Sequence, residues 1–200
     1  FYVEVSSKDD QITMMPKLGP ERPAMFIVDG REMKDNLLRE RLILSNYDRR
    51  ALSSGGGSSY DYKFPRMSNH YFNATFIANE SEIFYNAEIR KSGSPFTRDG
   101  GSSLAHGKWK LPGDRLFRER RRNVFDASGT SEGSGTPRFY DDRIARHFLY
   151  QLGHPVNEME YVHFAVNGDA FKLRENHEPI SNDFLNRNFD YINLLRFEFI

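Results

Sequence analysis

Residues 70–93 read HYFNATFIANESEIFYNAEIRKSG, and their periodicity decides what kind of structure forms around them. Phe72, Ala74, Phe76 and Ala78 occupy every second position. After the polar link NESE (79–82), Ile83, Tyr85, Ala87 and Ile89 do so again. A period of two sends successive side chains to opposite faces of an extended chain. The stretch therefore predicts an antiparallel hairpin with one face in a core.

Working outward, a loop from Ser92 to Ser103 leads into HGKWKL (106–111), which predicts a short third strand. Alternation there places Lys108 and Lys110 on one face and Trp109 with Leu111 on the other. PGDRLFRERRRNVFDA (112–127) predicts a turn and another strand, with the RERRR run (118–122) as a solvated edge. In RFYDDRIARHFLYQLGHP (138–155), Ile144, Phe148, Leu149 and Leu152 share one helical face. Asp141 and Asp142 suit its first turn, and Gly153 with Pro155 ends it. EYVHFAVNGDAFKLRE (160–175) predicts a hairpin turning at Asn167–Gly168. PISNDFLNRNF (179–189) predicts a closing helix with Ser181 as N-cap.

Upstream, FYVEV (1–5) and AMFIVDG (24–30) predict short strands, and REMKDNLLRERLIL (31–44) has the composition of a helix. The fold class that follows is α+β: an antiparallel sheet with one packed helix. Three divisions are expected: a leading segment at 1–41, the main body at 42–189, and the start of a truncated following lobe at 190–200. The aromatic ending YINLLRFEFI (191–200) fits a piece cut from a longer protein.

Composition restricts the function. The 200 residues carry 28 basic and 28 acidic side chains, for zero formal charge. A dedicated nucleic-acid binder has a net basic footprint, so nucleic acid is not an expected partner. No apolar run reaches the ~18 residues a membrane helix needs, so no membrane span is expected in the chain. With no cysteine, disulfides and thiolate metal sites are excluded. The six histidines lack metal-ligand spacing, and no metal is assigned to them.

Chemistry is most concentrated in RKSGSPFTRDGG (90–101). Backbone amides of a Gly-rich turn make a concave donor for anions, and Arg90, Lys91 and Arg98 add positive charge. The loop is not a Walker motif, and an ordinary hairpin loop explains the same residues. Lys108 and Lys110 behind it are placed either to meet a phosphate or simply to solvate a strand face. Asp142 on the helix serves either as partner to such a lysine or as a helix-dipole acid.

Taken in order, LILSNYDRRAL (42–52), PRMSNHYFNATFIANESEIFYNAEIRKSGSPFTR (65–98), GKWKLPGDRLF (107–117), YDDRIARHFLYQLGHP (140–155) and YVHFAVNGDAFKLRENHEPISNDFL (161–185) resemble the spore coat protein H (CotH) kinase-like family. The resemblance implies the amino-terminal lobe and hinge of an atypical protein-kinase-like fold. Such a protein transfers phosphate from ATP, with Mg2+, to Ser or Thr of a coat, envelope or secreted protein. It implies that Arg90, Gly93, Ser94 and Arg98 form the phosphate-facing loop. Lys108 or Lys110 would meet the phosphates, Asp142 would orient that lysine, and Glu175 would lie at the hinge. Metal ligands and the catalytic base would lie beyond residue 200, leaving the chain shown inactive alone. The chain departs from the family in offering Asp142 where a glutamate is usual, and in lacking a second glycine in NGDAFKL. Those departures suit an alternative, a non-catalytic binding or scaffold module. A third reading is a β-rich carbohydrate- or surface-binding module, suggested by 17 Phe and 10 Tyr.

Overall fold

The computed structural model describes residues 1–31, 36–53, 69–92, 106–127 and 140–189. The hairpin expected from residues 70–93 is present: β4 (Phe72–Ala78) pairs antiparallel with β5 (Glu82–Lys91). Its register is not continuous. Ala74 faces Ala87 and Phe76 faces Phe84, so Tyr85 and Asn86 together oppose Thr75. This one-residue bulge is absorbed at Asn86, whose φ is 58°. Alternation therefore breaks there. Phe84, Ala87 and Ile89 point inward, while Ile83 and Tyr85 lie outside.

The other strands are β1 (Val3–Ser6), β2 (Ile12–Met15), β3 (Leu38–Ile43), β6 (Gly107–Lys110), β7 (Arg122–Asp126), β8 (Met159–Val166) and β9 (Lys172–His177). Three helices join them: α1 (Asn46–Ser53), α2 (Asp141–Gln151) and α3 (Asn182–Asn188). Strands β3-β4-β5-β6-β7-β9-β8 form a closed barrel, and β1 and β2 a separate two-stranded sheet. Neighbours in the barrel are antiparallel except at one seam, where β3 and β8 run parallel from Leu38↔Val162 to Leu42↔Val166. Asn167 extends the seam. Its N–H donates to Leu42 O at 2.8 Å, and its Oδ1 accepts from Leu44 N at 2.8 Å.

The expected α+β architecture, an antiparallel sheet with one packed helix like a kinase amino-terminal lobe, is therefore corrected to a mixed seven-stranded barrel. Two physical causes account for the difference. The 31–44 run places Leu38–Ile43 in β3, because Arg39 and Arg41 face outward while Glu40 and Leu42 enter the barrel. Charged residues on both faces hide the period of two. Second, α2 forms where expected, but none of its residues is buried. The RERRR run is corrected too. β7 lies between β6 and β9 rather than at an edge, and Arg120 is buried. The expected division at 41/42 falls inside β3, and residues 190–200 lie outside the described residues.

The lumen is filled by aromatic and aliphatic side chains. Phe76 and Trp109 lie with ring centroids 4.0 Å apart, and Phe125 stacks on Phe164 at 4.3 Å. Each such buried ring contributes about 2–3 kcal/mol. Towards one end the lining turns polar, with Glu40, Asn123, Arg174 and Asn176 all buried. Asn176 Nδ2 donates to Glu40 Oε1 at 2.5 Å.

AMFIVDG is not a strand but part of a strap along the barrel wall. Arg22 pairs with Glu88 of β5, Met25 N donates to Thr75 Oγ1 of β4, and Asp29 pairs with Arg41 of β3. No helix among the described residues is long and apolar enough to cross a membrane.

Candidate functional site

Period two along β6, β7, β9 and β8 builds a face on the outside of the barrel. One row runs Lys108–Val124–His177–Met159, and the row beside it runs Asp126–Glu175–Tyr161. His106, just before β6, closes the second row through a 2.6 Å contact of its Nδ1 with Asp126 Oδ1.

Helix α2 leans over these rows with its polar side. Arg146 donates to the side chain and carbonyl of Asn157, just before β8, and the Arg143 guanidinium sits 5.9 Å from the Tyr161 ring. Asp142 is on the same side and acts on Tyr161, Glu175 and His177. The apolar stripe faces away, with Ile144, Phe148 and Leu152 at 49%, 62% and 73% exposure.

The electrostatics of the face follow from that arrangement. Burial, followed by repulsion from Asp142 and Asp126, pushes Glu175 up to about 7, with Arg146 opposing. Burial, then the charges of Arg146 and Lys108, pulls His177 below 6.5, while Asp126 and Asp142 oppose. The face thus gathers basic side chains (Lys108, Arg146) and acidic ones (Asp126, Asp142) around an imidazole that resists protonation and a carboxyl that resists ionisation. Met159 ends the first row in a cavity of about 350 Å³ beneath α2, which Arg118, Arg143, Arg146 and His147 also line. That volume lies near the lower end of the roughly 300–1,000 Å³ typical of small-molecule pockets.

Three of the sequence-derived site residues converge here: Lys108, Asp142 and Glu175. Lys110 does not. Its Nζ pairs with Glu88 at 2.6 Å and lies 4.3 Å from the Tyr71 ring centroid, on the strap side of β6. Arg90 is the register partner of Lys108, but its guanidinium donates to Asn69 Oδ1 at 2.9 Å and sits 5.3 Å from Tyr71. Gly93, Ser94 and Arg98 lie outside the described residues. The strands flanking that loop meet at Lys91↔Gly107, beside His106.

Sequence reasoning missed His106, Asp126, His177 and Arg146. The signal was available: counting by two along RNVFD and KLRENH puts Asp126, Glu175 and His177 on the outer face once the register is known. Among the described residues, no group of three or more His, Asp or Glu is arranged to hold a metal ion. A metal held here would have to arrive with a ligand that supplies further donors. No protein-family profile and no curated protein sequence matches the chain.

Proposed function

We propose that the outer face carrying Lys108, Asp142 and Glu175 receives the phosphates of ATP with Mg2+. On this reading the chain is the nucleotide-binding part of a CotH-like phosphotransferase acting on Ser or Thr of a coat, envelope or secreted protein. One observation carries the reading. Lys108 from β6 and Asp142 from α2, distant in sequence, both lie near enough to His177 for their opposite charges to bear on it, behind the larger effect of burial. The CotH-like resemblance pairs Asp142 with either Lys108 or Lys110.

Phosphoryl transfer depends on positioning and on neutralising charge. Lys108 and Arg146 supply the positive charge. Asp142 adds an opposing negative charge on the helix side of the face, and neutral His177 can donate one hydrogen bond without adding a repelling charge. ATP would bring the transferable phosphoryl group, and Mg2+ arriving with it would screen its oxygens from Asp126 and Asp142.

The test is calorimetric titration of the protein with ATP and Mg2+. Wild type should bind saturably, Lys108→Ala should bind at least tenfold more weakly, and Lys110→Ala should stay within about twofold. Equal affinity in Lys108→Ala, or no binding by wild type, overturns the reading. Binding without transfer to a Ser/Thr protein in the full-length context would assign the same face to a scaffold.

A further inference from the structure

On the opposite flank of β6, the segment before the strap and the barrel border a second, open cavity of about 620 Å³. The reading above does not use it. Its size lies inside the range of small-molecule sites. The apolar walls come from Met15, Pro16 and Leu18 of that segment, and from Leu111 and Pro112 after β6.

Its charge is one-sided. Lys17, Arg22, Arg115 and Arg121 line it against two carboxylates, Glu88 and Asp114. Glu88 is already held by both Arg22 and Lys110, whose charges pull its pKa below the usual carboxylate value against the effect of burial. Arg115 and Arg121 are fixed by donating to Ile83 O at 2.8 Å and Leu111 O at 3.1 Å. Their charges are therefore held in place at the cavity rather than swinging in solvent.

The β5 bulge supplies the second, independent observation. It turns Tyr85 and Asn86 into the lining of this cavity. Asn86 adopts a φ of 58° in mid-strand, a conformation that ordinary side chains avoid. Its Oδ1 is buried and has no hydrogen-bond partner among the described residues. A buried polar atom left without a partner calls for one.

We infer that this cavity is a binding site for a small amphipathic anion. Such a ligand has an apolar, preferably aromatic body for the Met15–Leu18 and Leu111–Pro112 walls. It carries one carboxylate, sulfonate or phosphate for Lys17, Arg115 and Arg121.

The probe is 1-anilinonaphthalene-8-sulfonate, compared with its uncharged analogue N-phenyl-1-naphthylamine, by fluorescence titration. The sulfonate should bind with one-to-one stoichiometry, at least tenfold tighter than the neutral analogue, and shift the NMR signal of the Asn86 side-chain amide. Lys17→Glu and Asn86→Asp each add negative charge to the cavity. Lys17 is exposed, and aspartate tolerates the positive φ. Both should weaken the sulfonate about tenfold and leave the neutral analogue within twofold. Phe148→Asp, on the exposed stripe of α2, should change neither. Equal affinity for the two probes, indifference to Lys17→Glu and Asn86→Asp, or loss of sulfonate binding in Phe148→Asp would each overturn the assignment.

Discussion

Replacing Glu40 with glutamine should stabilise this protein in alkaline buffer and not in acid. Glu40 points from β3 into the barrel and is 1% exposed. One oxygen accepts from Asn176 at 2.5 Å, and the other has no partner among the described residues. Burial pushes its pKa from 4.5 to about 7, although Asn176, Arg118 and Arg120 all favour the charged form. An unfolded chain gives up this proton near 4.5, so between that value and about 7 the folded state holds a proton that the unfolded state has lost. The contribution of Glu40 to stability is then fully present below that window and declines as pH rises through it. At about 1.4 kcal/mol per pH unit, the loss is about 3 kcal/mol by pH 8. That is a large share of the roughly 5–15 kcal/mol total of a folded domain. Glutamine has the shape of the protonated acid and does not ionise. Urea unfolding of wild type and Glu40→Gln at pH 5 and pH 8 measures the effect. The stability difference, variant minus wild type, should be about 2.5 kcal/mol more favourable at pH 8 than at pH 5, and steric effects of the amide cancel in the comparison. The same difference at both pH values would refute the argument.

Three further outcomes follow from the same structure. Binding of ATP with Mg2+ should tighten several-fold between pH 8 and pH 6 as Glu175 takes its proton, and Glu175→Gln should flatten that profile in calorimetry. A Cβ at residue 107 would come within 2.2 Å of Phe125 Cζ, on a ring packed against Phe164, so Gly107→Ala should lower stability by about 1–3 kcal/mol in thermal unfolding. Asn167 both adopts a φ of 53° and accepts from Leu44 N, so Asn167→Ala should cost about 1–3 kcal/mol. Asn167→Gly should cost less in the same assay, because it keeps the turn conformation and loses only the side-chain acceptor.

Several local signals in the sequence were read correctly, AMFIVDG and the 31–44 run being exceptions, and long-range ones were not. The β4–β5 hairpin, β6, the Asn167–Gly168 turn and both ends of α2 follow from residues close in sequence, where alternation, turn chemistry and helix-ending glycine act directly. Ser181 has the extended backbone of an N-cap, although its side chain makes no capping hydrogen bond. Closure was hidden because the parallel β3–β8 seam joins segments with no local signature of each other. The inward glutamate at position 40 also disguised β3 as part of a helix. For α2, periodicity identified the apolar stripe but not its direction, since a helical pattern is the same whether the stripe faces the barrel or away from it. At the candidate site, three candidates, Lys108, Lys110 and Asp142, were legible from the order of segments in the chain. The distinction between Lys108 and Lys110 was not, because it depends on which neighbours Glu88 and Tyr71 find across the sheet.

The β3–β8 seam also dictates when the protein can finish folding during synthesis. At about 5–20 residues per second, β3 leaves the ribosome on the order of ten seconds before the strand that must zip against it. Throughout that interval the nascent sheet ends in bare backbone donors and acceptors at β3 and at β7, the kind of border that recruits strands from other chains. A transcript broken before β8 leaves both borders open for good, so such fragments should collect in insoluble material rather than persist as smaller folded proteins.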